Sequence, residues 1–161
     1  MYGNSRASGV AISEQFRNDG SLWRSCPEST WLKLVKVNGA TDTAAKIPLG
    51  TVMKELITDG TYTPITESDI ISAVAGLPGA RLGIVADTDA ETGVTITTTE
   101  DSETVTEVKP STVLIGIHGQ VDKAKIFIGD KLFSELTAAQ QICLNTQLEA
   151  WGFQLIDVVE G

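Results

Sequence analysis

The sequence predicts a β-rich α+β fold: a small domain of short strands and hairpins, one C-terminal helix and an extended N-terminal arm. Three observations predict it. Thr, Val, Ile and Gly are plentiful while aromatics are only 6% of the 161 residues, which favours short strands and turns over long helices. Short alternating apolar runs are punctuated by Gly, Pro, Asn and Asp. Only the stretch from Leu132 to Trp151 holds apolar residues at helical spacing for several turns. Hydrophobic residues are 42% and charged residues 20%, enough apolar surface for one core and too little charge for wholesale disorder.

Residues 1–29 read as the arm and residues 30–161 as the β-rich domain. The arm is rich in Ser, Asn, Gly and Arg, with dispersed bulky apolar residues that bury little by themselves. Val10, Ile12, Phe16, Leu22 and Trp23 are therefore expected to grip a partner surface, for instance by adding a strand to it.

Thr30–Val37 (TWLKLVKV) is a strand ended by the Asn38-Gly39 turn. Trp31, Lys33, Val35 and Val37 share one face; Leu32, Leu34 and Lys36 share the other. From Ile47 the chain reads as two strands around an Asp59-Gly60 turn, because Gly takes positive φ without steric cost. Pro64 lacks an N–H, so the returning strand is an edge or ends there. Thr66 caps a short helix to Gly76, and Arg81–Asp87 returns as a strand. Val94–Val108 is a Thr-rich hairpin turning at Glu100-Asp101-Ser102, its acidic tip in water. Lys109-Pro110 interrupts, and Thr112–Gln120 and Ala124–Ile128 follow as strands.

The C-terminal helix carries Thr137-Ala-Ala-Gln140, the form of a capping box, so it starts there or a turn earlier at Ser134. Leu136, Ala139, Cys143 and Ala150 fall near one stripe, with Ile142 and Trp151 beside it; Leu144 and Leu148 widen it. A face that wide suggests contacts on two sides, and Leu144, Leu148 and Trp151 are candidates for a subunit interface. Gly152 stops the helix, and Phe153–Val159 forms the last strand.

The formal net charge of −9 repels phosphate backbones and anionic lipid, so neither nucleic acid nor membrane is an expected partner. The N-terminus lacks a basic start before an apolar core and is not read as a secretory signal, and no apolar run is long enough to span a bilayer. The two cysteines, Cys26 and Cys143, form neither a disulfide framework nor a metal knuckle.

Candidate chemistry is sparse. His118 is the sole histidine, and no nucleophile-elbow or cysteine-protease signature accompanies it, so a structural strand histidine is expected. Asp87, Asp89 and Glu91 begin like a calcium loop, but Gly93 is seventh where a sixth-position Gly is needed and Thr98 stands where a distal Glu belongs. A solvated acidic turn is expected instead. No catalytic residue, metal or cofactor is assigned, and the chain is not read as an enzyme.

The order Pro48-Leu49-Gly50-Thr51-Val52, Asp59-Gly60-x-Tyr62-x-Pro64 and Leu82-Gly83-Ile84-Val85-Ala86-Asp87 resembles the lambda-type head decoration proteins of tailed bacteriophages, over roughly Ile47 to Val159. What the resemblance implies is a homotrimeric cement protein on the outer capsid surface of the virion, made in the host cytoplasm. It would sit at three-fold and quasi-three-fold positions of the expanded head and stabilise the major capsid protein lattice. A virion surface domain for host or glycan binding is the alternative, with the Thr-rich hairpin as its recognition face.

Overall fold

The structure is a computed structural model and describes residues 22–24, 29–72 and 80–158. Its strands, in chain order, are β1 (Trp31–Val37), β2 (Val52–Glu55), β3 (Tyr62–Pro64), β4 (Leu82–Val85), β5 (Val94–Glu100), β6 (Glu103–Lys109), β7 (Ser111–Asp122), β8 (Phe127–Ile128), β9 (Lys131–Leu132) and β10 (Phe153–Ile156). Among the described residues two α-helices join them, α1 (Glu67–Ser72) and α2 (Ala138–Ala150). The β-rich α+β architecture expected from the sequence is the one observed.

The main sheet runs β1-β3-β2-β4-β7-β10, and β7 also pairs back onto β1. Five strands thus curl into a small barrel, with β10 added in parallel beside the far half of β7. Curling a sheet sends alternate side chains inward and outward. Met53, Tyr62, Val85, Val113 and Ile115 join Val35 and Val37 in one core cluster, the barrel interior. Val52, Leu82 and Ile84 join Phe153, Leu144 and Leu148 in a second cluster, between the barrel wall and α2. Both faces of β4 are therefore buried, which is why it reads as continuously apolar rather than alternating.

Closure is incomplete at one seam. β1 meets β3 through a single parallel pair, Val37 with Tyr62. Its opposite edge is zipped to β7 from Trp31–His118 down to Val37–Ser111, with a bulge between Trp31 and Leu32. From Leu32 to Val35 the second edge of β1 has no strand partner among the described residues.

Local details follow the chemistry of the chain. Asp59 accepts from the Thr61 N–H and hydroxyl, and Gly60 takes φ 72° to close the β2–β3 loop. β3 ends at Pro64, as its missing N–H requires. Thr137 and Gln140 form the reciprocal capping box, so α2 starts at Ala138; the preceding residues Phe133–Glu135 make a 3-10 turn, and Lys131–Leu132 pairs with Phe127–Ile128 as an unforeseen small hairpin. The expected run of α1 beyond Ser72 lies outside the described residues.

Candidate functional site

The chain that precedes β1 is anchored in the body, which corrects part of the arm expectation. Trp23 bridges Val121 on β7, Leu22 accepts from the Asp122 N–H at 2.8 Å, and the Arg24 N–H donates to Gln120 at 2.9 Å. The Arg24 guanidinium meets the buried Asp122 carboxylate at 3.3 Å. Leu22 is 1% exposed and Trp23 3%, both in the outer core cluster. The Trp23 ring occupies the space a side chain at position 116 would need: a Cβ added to Gly116 would lie 2.0 Å from its Cη2. On the other side it packs at 6.4 Å against Phe153. This short segment pairs with the edge of β7 opposite β10, and its two bulky side chains pack into the outer core cluster, so they are not free to grip a partner, and the folded body extends back at least to Leu22. Val10, Ile12 and Phe16 lie outside the described residues.

The helix corrects the interface expectation. Gln140, Leu144 and Leu148 are the buried face of α2, four residues apart each time. Leu144 and Leu148 are almost wholly buried in the chain's own core, so they cannot form a subunit interface. Trp151 is half-buried beneath the Arg81 guanidinium, 5.4 Å from its ring. The covered stripe is rotated from the one the spacing predicts: Ala139 and Ala150 are exposed, and Ile142 stands out in solvent. Alanines on a helix pattern equally well with either face; only the position of the barrel decides.

His118 is half-buried at the bulged end of β1. Its ring stacks on Trp31 at 4.8 Å, and Nδ1 lies 3.0 Å from the Ser29 carbonyl, which only the Nδ1–H form can bond by donating. The adjoining open cleft of about 400 Å³ is lined by Arg24, Ser29, His118, Gly119, Gln120, Gly152 and Gln154. That set offers a guanidinium, a serine, two amides and backbone, but no carboxylate or thiol beside the imidazole. In the Asp87 turn, the Asp87 carboxylate accepts from the Asp89 N–H at 2.9 Å, while Glu91 reaches Lys46 at 3.7 Å. No cluster of three or more ligating side chains occurs among the described residues. Cys143 is half-buried, 3.8 Å from the Ile70 carbonyl; Cys26 lies outside the described residues.

Two surface features stand out. The first is the β5–β6 ribbon. Asp101 and Ser102 both take positive φ, the conformation whose twist suits a two-residue hairpin turn. At its root the Thr95 N–H donates to Thr41 at 2.8 Å and the Gly93 N–H to Val37 at 3.1 Å, after which the ribbon leaves the barrel. Every residue of β6 is exposed, including Val105 at 58% and Val108 at 49%. Facing threonines (Thr97 with Thr106, Thr99 with Thr104) lie 3.4 Å apart across it. Among the described residues nothing covers β6, and a two-stranded ribbon by itself is marginally stable in water.

The second feature is the open edge of β1, flanked by the exposed Lys33 and Lys36, with Leu34 at 65% and Trp31 at 58% exposure. Sequence reading placed both faces of this strand yet missed its edge. The signal was present: lysines interleaved along an apolar strand are a common mark of an unpaired edge.

Ion pairs brace the ground between β2, α1 and β9. Burial raises the Asp69 carboxyl, but the Lys54 ammonium and the Thr66 N–H and hydroxyl outweigh it and hold its pKa below the ordinary value. The hydrogen bond from Lys131, at 2.7 Å, holds Glu67 low and is matched by a raised Lys131. Inside the barrel, burial and then the Glu55 charge push the Tyr62 phenol up, with Arg81 opposing, and its hydroxyl has no hydrogen-bond partner.

No family model, no curated protein and no solved structure matches the chain.

Proposed function

We propose that this chain is a capsid cement protein similar to the lambda-type head decoration proteins. It would bind the outer surface of an expanded phage head as trimers at three-fold and quasi-three-fold positions and stabilise the lattice of the major capsid protein. The observation that supports the reading is where the three stretches of the resemblance fall. Pro48–Val52 leads into β2, Asp59–Pro64 forms the turn and β3, and Leu82–Asp87 contains β4; these become the adjoining strands β3-β2-β4, with the β5–β6 hairpin, α2 and β10 after them in the chain. Contacts to several capsid subunits at once make individually modest interactions strong in sum, which is how a small protein can favour an assembled lattice. Because Leu22 and Trp23 belong to the core, the grip falls to the residues before them, Val10, Ile12 and Phe16.

Co-sedimentation with expanded and precursor phage shells tests the reading, comparing the wild-type chain with the full-length variant Val10→Asp, Ile12→Asp, Phe16→Asp. Saturable binding to expanded shells, weakened in the variant, is expected. Binding unchanged in the variant would remove the role of these three residues. Absence of binding to any shell would overturn the cement function and bring the host- or glycan-binding alternative forward.

A further inference from the structure

We infer that copies of this chain associate head to tail, strand β6 of one copy adding antiparallel to the open edge of β1 in the next. The inference rests on the proposed function in taking a second copy as the partner, and names where copies meet.

Backbone direction comes first. The Ala86 N–H donates to the Leu114 carbonyl, so Leu114 gives its backbone to the β4 side. In an antiparallel ladder adjacent residues turn their polar groups to opposite edges. Val113 and Ile115 therefore bond β1, through their partners Val35 and Lys33. Among the described residues, Leu32 and Leu34 are left with N–H and C=O groups pointing at the open edge, and Lys36 with its N–H, its C=O being taken up in the Val37–Tyr62 pair with β3. In the ribbon, the two-residue turn makes Glu100 and Glu103 a closing pair. Thr104, Thr106 and Val108 consequently turn their backbone groups outward. Among the described residues each molecule thus presents two open rows, Leu32 and Leu34 with the Lys36 N–H on β1, and Thr104, Thr106 and Val108 on β6.

Side chains choose the register. Joining Leu34 to Thr106 sets Leu32 against Val108, Val35 against Val105 and Lys33 directly against Glu107. Slipping by one repeat in one direction sets Lys33 against Lys109; slipping in the other sets Trp31 against Glu107 and leaves Lys36 beside the turn. Only the first register joins opposite charges and apolar neighbours together, and directly opposed cross-strand pairs are the contacts that select register. In the isolated chain the Glu107 carboxylate rests 3.3 Å from Lys109, an exposed pair that yields readily to another lysine. The ribbon leaves the barrel at the Val37 end of β1, so its strand meets the edge of another molecule. Such a heterologous contact closes into a ring when the rotation permits.

The test uses the full-length protein in free solution. Sedimentation equilibrium compares wild type, Lys33→Glu, Glu107→Lys and the combined variant, with melting curves confirming that all four are folded. Each single reversal is expected to weaken association by about tenfold, and the combined swap to restore it. Carbodiimide coupling of mixed isotope-labelled wild-type chains is expected to yield an intermolecular Lys33–Glu107 peptide. A wild type that stays monomeric at high concentration, single reversals without effect, or a swap that fails to recover association would each overturn the inference. Shell binding by a monomeric chain would leave the cement function standing; association without shell binding would do the reverse.

Discussion

Trp23 decides whether the segment before β1 is arm or body. Truncating it in Trp23→Ala empties a site walled by Gly116 and Phe153 in which the ring is 3% exposed. The indole N–H has no hydrogen-bond partner, so the loss is one of apolar contact and of the cavity left behind. Glycine at 116 cannot extend into that cavity, and β7 is held by strands on both edges, so little collapse is available. Removal of a fully buried Trp then costs about 3–5 kcal/mol. For a domain of this length that lowers Tm by roughly 6–20 °C. Trp23→Phe keeps much of the contact and gives up an N–H that bonds nothing, so its Tm falls between those of wild type and Trp23→Ala. Thermal unfolding followed by circular dichroism at neutral pH measures all three. An unchanged Tm in Trp23→Ala would refute the assignment of Trp23 to the core and return it to a partner-gripping arm.

Three further outcomes are expected. Leu148→Ala destabilises the fold by about 2–5 kcal/mol in urea titrations, whereas a residue at a subunit interface would instead shift the association constant. Thr137→Ala removes the cap whose oxygen accepts from the Gln140 N–H and costs about 1 kcal/mol by the same titration. Acid acts through Asp69: its folded pKa lies below the unfolded value, so its stabilisation is complete above about pH 4 and is lost as pH falls through the folded value. Asp69→Asn is accordingly less stable than wild type at neutral pH, and the gap closes on acidification. The remaining acid slope of the variant belongs to groups such as Asp59 and Glu67, which are shifted the same way. A gap that stays constant from pH 6 to about pH 2.5 would show that the Lys54–Asp69 pair carries no linkage.

What the sequence determined by itself was local. Alternation, turn residues and caps located β1, the β2–β3 hairpin, the ribbon turning within Glu100-Asp101-Ser102, the capping box at Thr137 and the strand after Gly152, because each depends on neighbours a few residues away. Sheet closure was decided elsewhere. That β7 pairs with β1, β4 and β10 together is a matter of contacts distant in the chain, and it is why Val52 and Met53, adjacent in sequence, enter different cores. The same closure reassigned the bulky residues. Leu22 and Trp23 lie in a polar segment that resembles an arm, yet the segment pairs with β7 and the outer core cluster takes their volume. Leu144 and Leu148 widen a helical stripe, yet only the barrel wall shows which part of that stripe is covered. Lys33 and Lys36 hinted at the open edge of β1, but only the sheet order establishes it, since an edge is defined by the strand that is not beside it. Local physics wrote the elements; long-range packing chose their neighbours and left exposed the surfaces through which the protein can act.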